Sequence, residues 1–230
     1  MASLDAARLQ EDRELLERSG TAERVAAILR QRITEGDFPP GTRLAEPAIS
    51  AALGVSRNTL RESFQLLAHE RLAVHELNRG VFVRELTADD IEDLYAIRRI
   101  VECGALRRAA ERASLDLSPV QAALADGQSA AAAEEWRAVG TASIHFHQAL
   151  ADLAGSHRVS ETMRQVLAET RLVFVFTENT RAFFEPYLNR HARILKQLER
   201  ARFTEAADAL DAYLREAETQ LLAAYARADP

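Results

Sequence analysis

The sequence has one cysteine, Cys103. A lone thiol cannot form a disulfide within the chain, so the fold has to hold by packing, and a reducing cytosol suits it. No apolar run approaches the roughly 20 residues that span a bilayer. The first thirty residues carry acids and lack the apolar core of a signal peptide, which points away from export and toward a cytoplasmic protein. There is no HExxH, no glycine-rich phosphate loop and no nucleophile motif, so enzyme classes that depend on those devices are disfavoured. A basic excess is missing as well. The formal net charge is −6. Residues 20–86 hold nine arginines against eight acids, and residues 87–230 hold seventeen basic against twenty-two acidic residues. Nucleic-acid binders usually show a basic footprint, so any contact with DNA has to rest on a few well-placed arginines.

Proline and glycine concentrate before residue 90, and beyond it long helices are expected. With 230 residues, 47% hydrophobic and 28% charged, the chain is an ordinary globular sequence long enough for one large domain or two smaller ones. Residues 1–20 read as an N-terminal arm, within which 4–18 can form a charged helix of irregular apolar spacing, either mobile or packed on a partner subunit. Thr21 then starts a helix with Val25, Ile28, Leu29 and Ile33 on one stripe. Pro39-Pro40-Gly41 forces a loop. A short helix over 46–53 and a second over 57–70 follow. Two short strands, Leu72–Glu76 and Val81–Arg84, flank Asn78-Arg79-Gly80. Three helices and a hairpin within 21–86 describe a winged helix-turn-helix.

The stretch LGVSRNTLRESFQLL, residues 53–67, carries the chemistry of that module. Gly54 and Val55 make a turn, and Ser56 suits the cap of the next helix. At about 100° per residue, Leu60, Phe64 and Leu67 fall on one side, with Asn58, Arg61 and Gln65 opposite and Arg57 at the margin. In a helix-turn-helix the amino end of the second helix enters the major groove. There arginine offers paired donors to guanine and asparagine does the same for adenine. Arg79 lies in the wing beside Gly80, and Arg43 is placed to neutralise a phosphate. Exposed arginines are also common on helices with no such role; the order of elements favours DNA.

The run GDFPPGTRLAEPAISAALGVSRNTLRESFQLLAHERLAVHELNRGVFV resembles the DNA-binding domain of the GntR family of bacterial regulators. The resemblance covers about residues 21–86. It includes the Pro-Gly loop, Leu44 and Glu46, the Gly-Val-Ser-Arg turn, Leu60-Arg61-Glu62 and the Arg-Gly wing. It implies that Arg57, Thr59 and Arg61 contact DNA, with Gly80 in the wing. Pro47 stands where many relatives carry an arginine, which removes one expected DNA contact.

Residues 88–226 read as an all-α bundle of six helices near 88–113, 118–132, 134–154, 157–180, 183–201 and 204–227. Thr87 and Ser118 stand at two of the starts. Apolar stripes run through Ile91, Leu94, Val101 and Ala105; through Trp136, Val139, Phe146, Leu150 and Leu153; through Leu188, Ile194, Leu195 and Leu198; and through Leu210, Leu214, Ala217 and Leu221. Five polar residues on four helices face that interior: Arg98, Ser143, His147, His191 and Tyr213. A buried arginine without a partner costs several kcal/mol, so a cavity holding water or an anionic guest is expected beside it. Glu102, one turn on, is a candidate structural partner.

Asp93-Leu94-Tyr95-Ala96-Ile97-Arg98, Phe146-His147-Gln148-Ala149-Leu150 with Gly155, and His191-Ala192-Arg193-Ile194-Leu195 resemble the helical effector domain called FCD, found in the FadR subfamily of GntR regulators. Six helices rather than seven resemble the branch named for the vanillate regulator. The resemblance implies a divalent-metal site at the positions held here by Ser143, His147, His191 and Tyr213, where two of four usual ligands are absent. Stable sites need three or four protein ligands, and His145 points about 200° away from His147. The expectation is therefore no tightly held metal, at most a weakly held divalent ion at His147 and His191, and a ligand site that persists, with Arg98 pairing the carboxylate of a small organic acid. The function expected is a ligand-responsive regulator, acting as a repressor and binding a pseudo-palindromic operator as a homodimer. The competing classes are a helical metal-dependent enzyme using His147 and His191 and a ligand-binding adaptor whose winged helix meets protein.

Overall fold

A computed structural model describes the backbone of residues 6–112, 114–176 and 180–228, and the side chains of 20–112, 114–174 and 181–227. The chain divides into two compact units, one from residues up to 33 with 38–84, the other from 34–37 with residues 85 onward.

The first unit contains α1 (Ala6–Thr34), α2 (Glu46–Leu53), α3 (Arg57–His69), β1 (Ala73–Glu76) and β2 (Gly80–Val83). The helix expected to start at Thr21 begins at Ala6 and runs without a break. No proline interrupts that stretch, and its one glycine, Gly20, sits in open space. The side chains of residues up to 19, and residues 1–5 altogether, lie outside the described residues. Val25, Leu29 and Ile33 are buried along with Ala22 and Ala26, while Ile28 lies at the edge of the stripe, 44% exposed.

In α2, Pro47 occupies the first turn, where its missing N–H leaves no hydrogen bond unmade. Gly54, at φ +63°, ends the helix in the left-handed conformation that glycine adopts without strain. Ser56 then caps α3 by accepting from the Thr59 backbone N–H at 3.1 Å. Leu60, Phe64 and Leu67 are buried beneath it. β1 and β2 pair antiparallel, with Ala73 opposite Val83 and Glu76 opposite Gly80. Arg43 bridges to Phe82. Its neighbours form a further edge of the hairpin, Leu44 N–H donating to Val81 O at 2.8 Å and Val83 N–H to Thr42 O at 2.9 Å. The unit is a winged helix-turn-helix.

The second unit contains α4 (Ala88–Ala109), α5 (Ser118–Ala132), α6 (Trp136–Asp152), α7 (His157–Thr170), a 3-10 turn (Arg171–Phe176), α8 (Thr180–Glu199) and α9 (Phe203–Ala228). α4 packs along α9, and α5 along α6. Thr87 and Asp90 form a reciprocal cap at the start of α4. At α5 the capping group is Asp116, which accepts from the Ser118 N–H at 2.9 Å, so Ser118 is the first helical residue and not the cap. α4 stops at Ala109, short of 113, a residue outside the described set. α7 stops at Thr170 and not near 180; a 3-10 turn over Arg171–Phe176 follows, with Leu172, Val173 and Phe174 buried. Val101 and Trp136, expected in the core, are half-buried. Arg181 lies over the Trp136 ring at 5.5 Å. No helix among the described residues is long and apolar enough to cross a membrane.

Candidate functional site

Two sites follow from these elements. The first is the exposed side of α3 with the wing. Arg57, Asn58, Arg61 and Gln65 are all exposed, opposite the buried Leu60–Phe64–Leu67 side. Thr59 is half-buried and its hydroxyl lies 2.9 Å from Ser56 Oγ, so part of its bonding capacity goes into the cap. Arg61 points its Nε–H at both oxygens of Glu46 on α2, each at 3.2 Å. Arg79 donates from Nη1 to Glu76 and lies over the Phe82 ring at 5.3 Å. Gly80 has φ +114°, and a Cβ there would meet Arg43 Nε at 3.3 Å. A glycine is required at Gly80 both for its conformation and for the close pass of Arg43. A groove of about 270 Å³ lined by Glu46, Arg61, Phe64, Gln65, Ala68, His75 and Val81 opens beside the Glu46–Arg61 pair.

The second site is a buried polar cluster in the helical unit. All five residues picked from the sequence are buried: Arg98 2% exposed, Ser143 7%, His147 1%, His191 2% and Tyr213 6%. A sixth, Glu102, joins them at 0%. The i, i+4 spacing on α4 lets Arg98 Nε donate to Glu102 Oε1 at 2.8 Å. The other Glu102 oxygen lies 2.5 Å from His147 Nδ1 on α6, and His147 Nε2 lies 3.1 Å from the Tyr213 hydroxyl on α9. The Arg98 guanidinium also covers the Tyr95 ring at 4.8 Å.

Charge states follow from these contacts. Burial opposes ionisation of Glu102, but His147 and Arg98 outweigh it and hold its carboxyl below the usual range. Burial likewise opposes the charge on Arg98, and Glu102 outweighs it. Burial lowers His147 despite Glu102, which favours the neutral imidazole. The neutral ring donates from Nδ1 to Glu102 and accepts at Nε2 from the Tyr213 hydroxyl, whose own ionisation burial pushes up. Burial lowers His191 well below the ordinary histidine value, and the charge on Arg98 adds to the effect. His191 stacks on Phe146 at 4.1 Å between ring centroids, and its buried Nε2 has no hydrogen-bond partner. Ser143 sits one turn before His147 on α6. Cys103, next to Glu102, is pushed up to about 12 by burial, so its thiol stays protonated and unreactive.

A divalent metal at the Ser143, His147, His191 and Tyr213 positions does not fit this arrangement. A metal ligand needs a free lone pair on an imidazole nitrogen; with Nδ1 of His147 donating to Glu102, only Nε2 could serve, and it is taken by the Tyr213 hydroxyl. Tyr213 is held as a neutral phenol. His145 is exposed on the far side of α6. Among the described residues no three His, Cys, Asp or Glu come together as a metal site.

The sequence placed Glu102 near Arg98 but offered no reason to link it to His147, 45 positions away. Glu46 and Glu76 were missed as arginine partners. The i−3 spacing of Glu76 from Arg79 was a readable signal, whereas Glu46 lies 15 positions from Arg61 and only the fold joins them.

A winged helix-turn-helix presenting arginines, on a chain that also carries an all-helical unit with a buried polar cluster, defines a transcription regulator. The model of bacterial regulatory proteins of the gntR family matches residues 21–83, and the FCD domain model matches residues 93–216. A crystal structure of a transcriptional regulator GntR from a Rhodococcus species is 50% identical, covers 89% of this chain and 98% of its own, and superposes with a TM-score of 0.83. The Nta operon transcriptional regulator of Aminobacter aminovorans is 40% identical over 77 residues, 34% of this chain and 37% of that protein. The gluconate operon transcriptional repressor of Bacillus licheniformis is 37% identical over 101 residues, 44% of this chain and 41% of that protein. The chain therefore spans less than half the length of these two curated relatives. It belongs to the GntR family of bacterial regulators and carries an FCD domain; it is a transcription regulator and not an enzyme.

Proposed function

We propose that the chain is a ligand-responsive repressor that works in the cytoplasm and binds a pseudo-palindromic operator as a homodimer. Its parts are an arm over 1–20, a DNA-binding domain over 21–86 and an effector-binding and dimerisation domain over 88–226. The observation that carries the DNA half is the split of α3 into a buried apolar side and an exposed side of Arg57, Asn58 and Arg61. Those three, with Thr59, read the major groove, and Arg43, Arg79 and Gly80 place the wing on the backbone. One such helix reads too few base pairs to be selective, which is the reason for two copies.

The effector half rests on the buried cluster. His191 Nε2 is a buried polar atom without a partner, and such atoms are rare unless a guest or water meets them. A small organic acid is the class that Arg98 favours by charge. Glu102 already holds the Nε edge of that cation, so a guest carboxylate competes with the chain's own. Ser143, His147, His191 and Tyr213 complete the seat. The guest shifts DNA affinity only through different affinities for the DNA-competent and incompetent states.

The test is retention of genomic fragments by the purified chain at two salt concentrations. Retention of the fragment upstream of its own gene, lost in the Arg57→Ala/Arg61→Ala double variant with the fold intact, is expected. Retention that survives the double change overturns the reading of α3, and equal capture of every fragment overturns the operator.

A further inference from the structure

The DNA-reading domain contains almost as many acids as arginines over 20–86, which is unusual for its task. The structure shows where two of those acids go. Glu46 binds Arg61 through both carboxylate oxygens, and Glu76 binds Arg79. These are the arginines at the reading face and at the wing, and neither acid is adjacent in sequence to the cation it holds. Both arginines remain largely exposed, 63% and 70%, so the pairs lie at the surface where a duplex would dock and not within the core.

The geometry of the first pair is selective. Glu46 engages only the Nε–H of Arg61, each oxygen at 3.2 Å, and leaves the two terminal amino groups without a hydrogen-bond partner among the described residues. Those terminal groups are the fork that meets the O6 and N7 of a guanine. The acid therefore fixes the direction of the fork and cancels part of the charge that would attract any phosphate. A guanine edge in the right place rewards the fixed fork. A phosphate gains nothing from the direction and sees a weaker field. Arg79 is held differently: Glu76 takes one terminal amino group, Nη1, through a single oxygen, and the guanidinium rests on Phe82.

We infer that Glu46 and Glu76 are specificity-determining positioning residues: Glu46 holds Arg61 for base reading, Glu76 holds Arg79 in the wing, and the two acids suppress binding to duplexes of unrelated sequence. This rests on the DNA-reading role proposed for those arginines. It also explains two of the eight acids that bring the net charge of the reading domain close to zero.

The experiment uses the full chain and two labelled duplexes of equal length: one recovered by the wild-type protein from a random-sequence library, the other a scrambled version. Affinities are measured over a series of salt concentrations. In Glu46→Gln the scrambled duplex is expected to bind about two- to fivefold tighter, the range of one exposed ion pair, with a salt slope steeper by up to about one. The recovered duplex gains less or loses, so the ratio of the two affinities falls. Glu46→Asp, which keeps the charge, restores much of the ratio. Glu76→Gln on the exposed hairpin gives the same reading with no core contact at stake, and settles the matter should Glu46→Gln fail to fold. An unchanged ratio and salt slope in both glutamine variants overturns the inference. Arg61→Ala is run in parallel: if it leaves the recovered duplex bound as before, the proposed role of α3 fails and the inference falls with it. If it weakens that duplex while the glutamine variants change nothing, only the inference fails.

Discussion

Two arginine–glutamate pairs with similar contacts have opposite consequences in this chain. Arg61–Glu46 sits on the winged helix-turn-helix with side chains 63% and 30% exposed, and Arg98–Glu102 sits in the helical unit at 2% and 0%. In water the first pair contributes on the order of 0.2–1 kcal/mol, because solvent and salt screen it. In the core, Glu102 is the group that makes the burial of Arg98 tolerable. The charge on Arg61 remains available to an outside partner. The charge on Arg98 is already committed to the chain's own carboxylate, which in turn holds His147 and, through it, Tyr213.

The sharpest way to break this comparison is to remove the buried acid. Glu102→Ala strands a buried cation and frees His147 Nδ1, and unfolding in urea should show a loss of about 3–5 kcal/mol. The Arg98→Met/Glu102→Leu double variant should recover most of it, since apolar replacements of similar volume leave no buried charge unpaired. A loss under about 1 kcal/mol in the single variant would put the buried and exposed pairs in one class.

Arg61→Ala is the counterpart on the surface. Melting should move by no more than about 0.5 kcal/mol. Discrimination between an operator and a scrambled duplex should fall by about 1–3 kcal/mol in a titration, with relaxed preference at one base position. Equal losses of stability and binding would mean that Arg61 holds the fold.

Acid separates the two regions next. His147 and His191 are buried with their pKa values lowered, chiefly by desolvation. The unfolded chain, at the ordinary value of 6.5, then binds more protons than the folded one on the acid side. The stability they contribute is fully present above that value and is lost as pH falls toward the depressed folded values, with a limiting slope of about 1.4 kcal/mol per pH unit for each histidine. Urea titrations from pH 7.5 to 5.5 should show this loss in the full chain, and His191→Phe should flatten it. An unchanged slope in His191→Phe would mean that His191 is protonated in the fold.

The smallest effect expected is at the helix cap. Ser56→Ala removes the acceptor for the Thr59 N–H and should cost about 1 kcal/mol. Because the cap sets the first turn that carries Arg57 and Asn58, operator affinity should fall with it, measured in the same titration.

Much of both sites was legible in the sequence because amphipathic spacing is local. The helical period put Leu60, Phe64 and Leu67 opposite Asn58, Arg61 and Gln65, and the structure buries the first set and exposes the second. The same period on four separate helices turned Arg98, Ser143, His147, His191 and Tyr213 inward, and all five are buried. It was less informative about where helices end. The run 171–176 reads as more helix, yet the chain tightens there into a 3-10 turn. The charged stretch before Thr21 reads as a helix-capable arm, and its backbone is continuous with α1.

What the residues alone determined is the class of each element and the face that it hides, since side-chain direction repeats every 3.6 residues in a helix and every 2 in a strand, whatever else the chain does. What only the tertiary structure decided is which charge answers which. Glu102 could have left Arg98 open to a guest, and Glu46 could have faced solvent. Instead Glu102 holds Arg98 one turn away on its own helix and reaches the neutral His147 ring across 45 positions, and Glu46 meets Arg61 across 15; the last two contacts are set by how helices pack. Electrostatic pairing depends on distance and on access to water, and neither is a property of sequence separation.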